Sequence, residues 1–219
     1  MPRVALIHAL AQSVAPVNEE MARTWADCDR MNLLDDSLST DRARSPGGLD
    51  PAMTARFLRL ADYAVRAGAD GLLFTCSAFG PCIEAVARRF ADRPVLKPNE
   101  AMIAEAARAG GRVGLVATFA PTLASMAPEF PPTVDLRLAL AEGGLEALQT
   151  GDANRHDTLV TRAAQRLVDD EGCRIIALAQ FSMARAAPMV TAALGKPVLT
   201  PVVSAVRMMR ERLSGGGSA

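Results

Sequence analysis

Two histidines, two lysines and four cysteines in 219 residues leave this chain little material for a metal centre or a polyanion surface. The cysteines, Cys28, Cys76, Cys82 and Cys173, include no closely spaced pair of the zinc-binding kind, and no His-Glu cluster accompanies His8 and His156. A protein-built transition-metal site is therefore not expected. Basic and acidic residues balance at 24 each, so there is no long-range field to gather a nucleic-acid backbone and no basic stripe to follow one. No apolar run reaches the roughly 18 residues that span a bilayer, and the N-terminus lacks a basic stretch followed by an apolar signal region. The expectations are a cytoplasmic location, free thiols rather than disulfides, and no nucleic-acid or membrane partner.

What the chain has is a repeat. Arg3-Val4-Ala5-Leu6-Ile7 recurs as Arg112-Val113-Gly114-Leu115-Val116. Gly68 to Cys76 is matched in spacing by Gly172 to Gln180, and Pro94-Val95-Leu96-Lys97-Pro98 recurs as Pro197-Val198-Leu199-Thr200-Pro201. A duplicated unit of roughly 100 residues, with small insertions between its parts, accounts for all three in order. Half of the residues are hydrophobic and 22% are charged, the composition of a globular protein with a core.

Within each unit, short apolar runs alternate with stretches of helical periodicity, the sequence form of βα units and a mostly parallel sheet. Strands are predicted at Val4 to His8, Met31 to Asp35, Gly71 to Thr75, Val95 to Leu96, Val113 to Ala117, Val134 to Leu138, Ile175 to Ala179 and Val198 to Leu199. Helices are predicted at Asn18 to Ala26, Pro51 to Ala67, Gly80 to Phe90, Asn99 to Arg108, Pro121 to Met126, Asp157 to Asp170, Ala184 to Leu194 and Val202 to Leu213. Asp50 before Pro51 is a start signal, and Gly68 and Gly110 are stop signals. The fold class is thus α/β, as two pseudo-symmetric lobes, each a short four-stranded sheet flanked by helices. Residues 1–97 with 201–213 would form the first lobe and 98–200 the second, the last helix crossing back. Ser39 to Gly48 reads as a mobile surface loop and residues 214–219 as a flexible tail.

In parallel α/β sheets, ligands sit beyond the carboxyl ends of the strands, where loops and helix N-termini offer unpaired N–H groups. Thr75-Cys76-Ser77-Ala78-Phe79-Gly80-Pro81 occupies such a place. A thiol at a helix N-terminus is expected to have its pKa lowered, which makes Cys76 the cysteine with a mechanistic setting. The plainer reading of any cysteine is a small buried hydrophobe, and it suits Cys82 inside the following helix.

The triplet Thr75-Cys76-Ser77 after an apolar strand, the paired strand end Leu178-Ala179-Gln180-Phe181-Ser182-Met183-Ala184 and the duplication together resemble the aspartate/glutamate racemase superfamily. That group also includes hydantoin racemases, maleate isomerases and arylmalonate decarboxylases. The resemblance covers nearly the whole chain. It implies an active site between the two lobes, a small carboxylate-bearing substrate, no metal or organic cofactor, and a homodimer as is common among similar proteins. The family's racemases use two cysteines on opposite faces of an α-carbon. Cys76 matches the first; the second falls at Gln180, whose amide does not exchange a proton at neutral pH.

One-sided chemistry is what remains. A single thiol or thiolate can remove and return a proton on one face, protonate an enediolate after decarboxylation, or add to an activated double bond. The superfamily's decarboxylases also use one cysteine, but in the second lobe. Carboxylate recognition is expected from backbone N–H groups after Cys76 and Gln180, with Phe181 beside them, and from the hydroxyls of Thr75, Ser77, Thr118 and Ser182. Each hydroxyl taken alone reads equally well as a helix cap. His8, ending the first strand, either steers a carboxylate or shares a proton with Cys76, or is a hydrogen-bonded structural residue. Ser13 and Asn18 resemble the family's substrate-contacting segment. Lys97 either supplies positive charge to an acid or pairs with Glu100, and His156-Asp157 reads as a helix-start feature. The expected function is a cofactor-independent, racemase-like isomerase working by proton transfer through Cys76. The alternatives are a decarboxylase of malonate-type acids and a non-catalytic carboxylate-binding relative.

Overall fold

A computed structural model describes residues 1–45 and 48–215 of the chain. The apolar runs form two four-stranded, wholly parallel sheets of the same topology. In the first, β1 (Arg3–His8), β2 (Asp29–Leu34), β3 (Gly71–Phe74) and β4 (Val95–Leu96) lie in the order β2-β1-β3-β4. In the second, β5 (Arg112–Ala117), β6 (Asp135–Leu140), β7 (Ile175–Leu178) and β8 (Val198–Leu199) lie in the order β6-β5-β7-β8. The helices are α1 (Val14–Thr24), α2 (Ser37–Ala43), α3 (Pro51–Arg66), α4 (Gly80–Arg89), α5 (Glu100–Ala109), α6 (Ala120–Met126), α7 (Gly144–Gln149), α8 (Ala153–Asp169), α9 (Ala187–Leu194) and α10 (Pro201–Gly215).

The central strands read as unbroken apolar runs because both faces of each sheet are covered. Side chains alternate between those faces. Ala5, Ile7, Leu72 and Phe74 join a core with Phe57 and Ala61 of α3 and Ile83 of α4, while Val4, Leu6 and Leu73 face Val17 and Met21 of α1. In the second sheet Val116, Ile176 and Leu178 face Ala164 of α8 and Val190 of α9; Val113, Leu115 and Ala177 face Met102 of α5 and Met126 of α6. The chain's last helix returns to the first sheet: Val202, Ala205, Val206 and Met209 of α10 pack with Val4, Leu6 and Leu73.

Several boundaries differ from the sequence reading. Ser39 to Gly48 is not a surface loop over its first part, because Ser37–Ala43 is helical; Pro46 and Gly47 lie outside the described residues. Its polar sequence conceals one fully buried side chain, Leu38, and a bracing cation: Arg56 of α3 reaches Asp35 and Asp41, both at 2.6 Å. Tertiary contacts thus fold a segment that periodicity leaves unassigned. α1 begins at Val14 rather than Asn18, and α7 is an additional helix. α8 begins at Ala153, capped by the Asp152 carboxylate on the Arg155 N–H at 3.0 Å, so Asp157 lies within the helix and not at its start. Ser214 and Gly215 belong to α10, and 216–219 lie outside the described residues.

Candidate functional site

The carboxyl ends of β1, β2, β3, β5, β6 and β7 all lead to one small cavity. Leu10 and Ser13 follow β1, Ser39 follows β2, and Thr75, Cys76 and Ser77 follow β3. From the other half come Phe119, Thr122, Leu145, Gln180 and Ser182. This is where doubly wound sheets place ligands. The space between these side chains is about 20 Å³, room for one water molecule. A wider groove of about 750 Å³, between α1 and α9, is lined by no cysteine or histidine and lies apart from this junction.

Cys76 and Gln180 hold equivalent positions in the two halves. Each stands two residues beyond its strand, in extended backbone, immediately before a 3-10 helix: Ser77–Phe79 after Cys76 and Phe181–Ala186 after Gln180. The strand end thus presents each side chain to the cavity from opposite sheets. The Ser77 hydroxyl fastens the two loops together by donating to the Ala179 carbonyl at 2.5 Å.

The expected acidification of Cys76 is overturned. Its residue surface is only partly buried, yet surrounding atoms crowd the thiol, and burial pushes its pKa up to about 12 against weaker opposing hydrogen bonds from the Ala9 backbone and the Ser39 side chain. Burial is the cause of the rise, and the helix N-terminus expected to oppose it stands further away. A three-residue 3-10 helix separates Cys76 from α4, which begins only at Gly80, and a helix dipole acts within about one turn of its end. Cys76 in this closed arrangement is a protonated thiol.

Gln180 is oriented unambiguously. One atom of its amide accepts from the Thr118 backbone N–H at 2.7 Å and from the Thr118 hydroxyl at 3.0 Å. A backbone N–H is a donor, so that atom is Oε1 and the NH₂ group is the free end. Thr118 approaches so closely that a Cβ at residue 144 would lie 2.7 Å from its Cγ2, which explains the glycine there. Ser182 lines the same cavity, and its buried hydroxyl has no hydrogen-bond partner among the described residues.

The remaining predicted residues lie further out. His8 is completely buried behind Thr75: Nδ1 meets the Thr75 hydroxyl at 2.9 Å and Nε2 meets Asn32 Oδ1 at 3.0 Å. With both ring nitrogens engaged and burial lowering its pKa, His8 is neutral and does not reach the cavity. Asn18 ends this relay, bonding Asn32 at 2.8 Å, away from the cavity. Phe181 is a core residue that plugs the second half's loop into the first sheet's packing. Thr118 does not line the cavity but holds the Gln180 amide oxygen. Lys97 takes neither expected role, since it pairs with Glu84 at 3.0 Å and Glu129 at 3.4 Å, while Glu100 pairs with Arg212. His156 and Asp157 form a buried pair at 2.7 Å that Arg185 joins.

Sequence reasoning missed Leu10, Ser39, Phe119, Thr122 and Leu145. For Phe119 and Thr122 the signal was present: they stand to Leu10 and Ser13 as Arg112 stands to Arg3 in the repeat. Ser39 gave none, because its helix was unread.

No group of three or more His, Cys, Asp or Glu side chains placed to hold a metal ion occurs among the described residues. No helix among them is long and apolar enough to cross a membrane.

Comparisons with known proteins agree with this architecture. The allantoin racemase from Klebsiella pneumoniae superposes with a TM-score of 0.77 at 20% identity, over 99% of this chain and 89% of that one. A glutamate racemase from Francisella tularensis subsp. tularensis gives 0.78 at 14% identity, over 98% and 82%. Unliganded arylmalonate decarboxylase gives 0.60 at 16% identity, over 100% and 95%. At such identities the likeness is one of fold. A search of curated proteins finds no match. A model of the family described as Asp/Glu/Hydantoin racemase matches residues 13–209, nearly the full length, and the chain belongs to that family.

Proposed function

We propose that this protein is a cofactor-independent isomerase that moves a proton on a small carboxylate-bearing molecule through a single cysteine, Cys76. One observation carries the reading. The cavity shared by the two sheets holds one thiol, facing an amide whose oxygen is tied to Thr118. Cys76 is the one titratable side chain lining it, and Gln180 and Ser182, whose buried hydroxyl has no partner among the described residues, line the same space.

The roles follow from the chemistry of these groups. A substrate carboxylate gains negative charge as its α-carbon loses a proton and the enediolate forms. Gln180 and Ser182 donate to that oxyanion, and removing one such donor typically costs about 3 to 4 kcal/mol of barrier in comparable sites. The sulfur takes or gives the proton on one face only, because the amide opposite cannot. Since the closed cavity admits little more than a water, the surrounding loops must part to receive a substrate.

Decarboxylation of a malonate-type acid is the second reading, and the protonated state of Cys76 favours it. Loss of carbon dioxide leaves a carbanion that needs one proton and no base, which a neutral thiol supplies. The fold-level likeness to arylmalonate decarboxylase is compatible with this.

One experiment separates these. The protein is incubated in deuterated water with amino acids, hydantoins, malonates and maleate. Deuterium entering an α-carbon without inversion supports one-face proton exchange at Cys76, the geometrical change of maleate supports an isomerase, and gas release from a disubstituted malonate supports the lyase. In either case Cys76→Ala is expected to abolish turnover with an unchanged unfolding transition; activity that survives in this variant removes the assignment.

A further inference from the structure

We infer that the acid this cavity takes carries no ammonium group and turns an apolar substituent towards Leu10, Phe119 and Leu145. The inference deepens the reading of the cavity as a carboxylate site and rests on it. Among the described residues, the walls are apolar side chains, hydroxyls, one thiol and one amide, with no Asp, Glu, Lys, Arg or His.

An ammonium group taken out of water needs acceptors, an anion among them, or it loses its hydration without return. The acceptors here are few and neutral. The Gln180 oxygen is held by the N–H and the hydroxyl of Thr118, which leaves the NH₂ end of the amide, a donor, for a ligand. The Thr75 hydroxyl is engaged with His8 Nδ1 at 2.9 Å, and the other nitrogen of that ring meets Asn32. Carboxylates near the walls in sequence do not supply the anion. Asp35 and Asp41 are paired with Arg56, each at 2.6 Å, Glu129 with Lys97 and Asp157 with Arg185. Asp36, Glu142 and Glu146 are exposed and line no part of the cavity.

The apolar side chains have a pattern of their own. Leu10 and Phe119 stand seven residues beyond Arg3 and Arg112, and Ser39 and Leu145 ten residues beyond Asp29 and Asp135, the first residues of β1, β5, β2 and β6. The first pair is apolar in both halves. The second sets an isobutyl group in one half against a hydroxyl in the other. Phe119 and Leu145 are only partly buried in the closed protein, so apolar surface is left for a substituent to cover. Burying one methylene there corresponds to about fourfold in affinity.

The test compares acids that differ in one group, by isothermal titration calorimetry on the full chain. Leucine and 2,4-dimethylpentanoate share a skeleton, with NH₃⁺ in one and CH₃ in the other. Both must part the loops to enter, so the cost of opening the closed cavity cancels from the ratio of their affinities. The methyl acid is expected to bind about tenfold or more tightly than leucine, since only leucine buries an unpaired charge. It should also exceed 2-methylpropanoate, which lacks the longer apolar chain, by about tenfold or more. Leu145→Asp places a carboxylate in the wall and is expected to bring leucine ahead, whereas Leu145→Asn, of the same size and uncharged, is not. Leucine binding as tightly as its methyl counterpart, no binding of either acid, or a preference untouched by Leu145→Asp overturns the proposal. Cys76→Ala, expected to abolish turnover, should keep the preference, so that failure of the proton-transfer reading and failure of this one are told apart.

Discussion

On the proposed reading, Gln180 decides which chemistry the site permits. Its oxygen is committed to Thr118, which leaves the NH₂ group as the donor it would offer a ligand, at the position equivalent to Cys76 in the other half. Gln180→Cys exchanges that donor for a second thiol. A protein that exchanges deuterium on one face should then also invert the α-carbon, measured as loss of optical rotation; a variant that exchanges without inverting would show that two opposed thiols are not enough here. Among single residues, Cys76 was legible from its place after an apolar strand, but its protonation state was not. Sequence spacing suggested a helix dipole beneath the sulfur, whereas a 3-10 turn separates it from α4 and burial in the cavity raises its pKa. His8 shows the same limit. Its strand position was readable, yet whether the ring faces substrate or a neighbouring hydroxyl depends on β2 and β3, which lie distant in sequence.

At the scale of elements, local signals served best where the segment satisfies its own backbone. Asp50 before Pro51 is such a case: its carboxylate accepts from the Met53 N–H at 2.7 Å and closes the start of α3. Asp50→Ala should lower stability by about 0.5 to 2 kcal/mol, seen as an earlier urea midpoint with an unchanged slope. No change in midpoint would mean that water replaces the cap fully. α2 is the contrary case. Its residues offer one buried leucine and no cap bond, so its helix depends on Arg56, from a different helix, and no reading of Ser37 to Ala43 alone would find it. The position of α8 is intermediate, since Asp152 and Asp157 are both plausible starts in sequence. The Asp152 cap on the Arg155 N–H sets the start, and the buried contact of Asp157 with His156 and Arg185 holds it in the interior.

For the molecule as a whole, burial of both histidines sets a pH dependence of stability. His8 and His156 are held below their ordinary value of about 6.5, chiefly by burial, so the unfolded chain binds protons that the folded one resists. Stability is full above that value and falls as pH drops through it towards the folded pKa values, with a slope of at most about 1.4 kcal/mol per pH unit for each histidine. Urea unfolding should accordingly have a lower midpoint at pH 5.5 than at pH 7.5, and His8→Gln should reduce the difference; equal midpoints would contradict the burial argument. Glu129, whose carboxyl is pushed upwards mainly by burial, acts in the opposite direction, from the lower side of this range. The duplication, the parallel sheets and the identity of the two facing positions were written in the sequence, because strand periodicity and strand-end location are local properties repeated in each half. The size of the cavity, the charge state of its thiol, the orientation of the Gln180 amide and the arrival of Ser39 were decided by the tertiary structure. Each depends on atoms brought together from separate strands and helices, and the energy of burying a thiol or orienting an amide is set by those neighbours rather than by the residue itself.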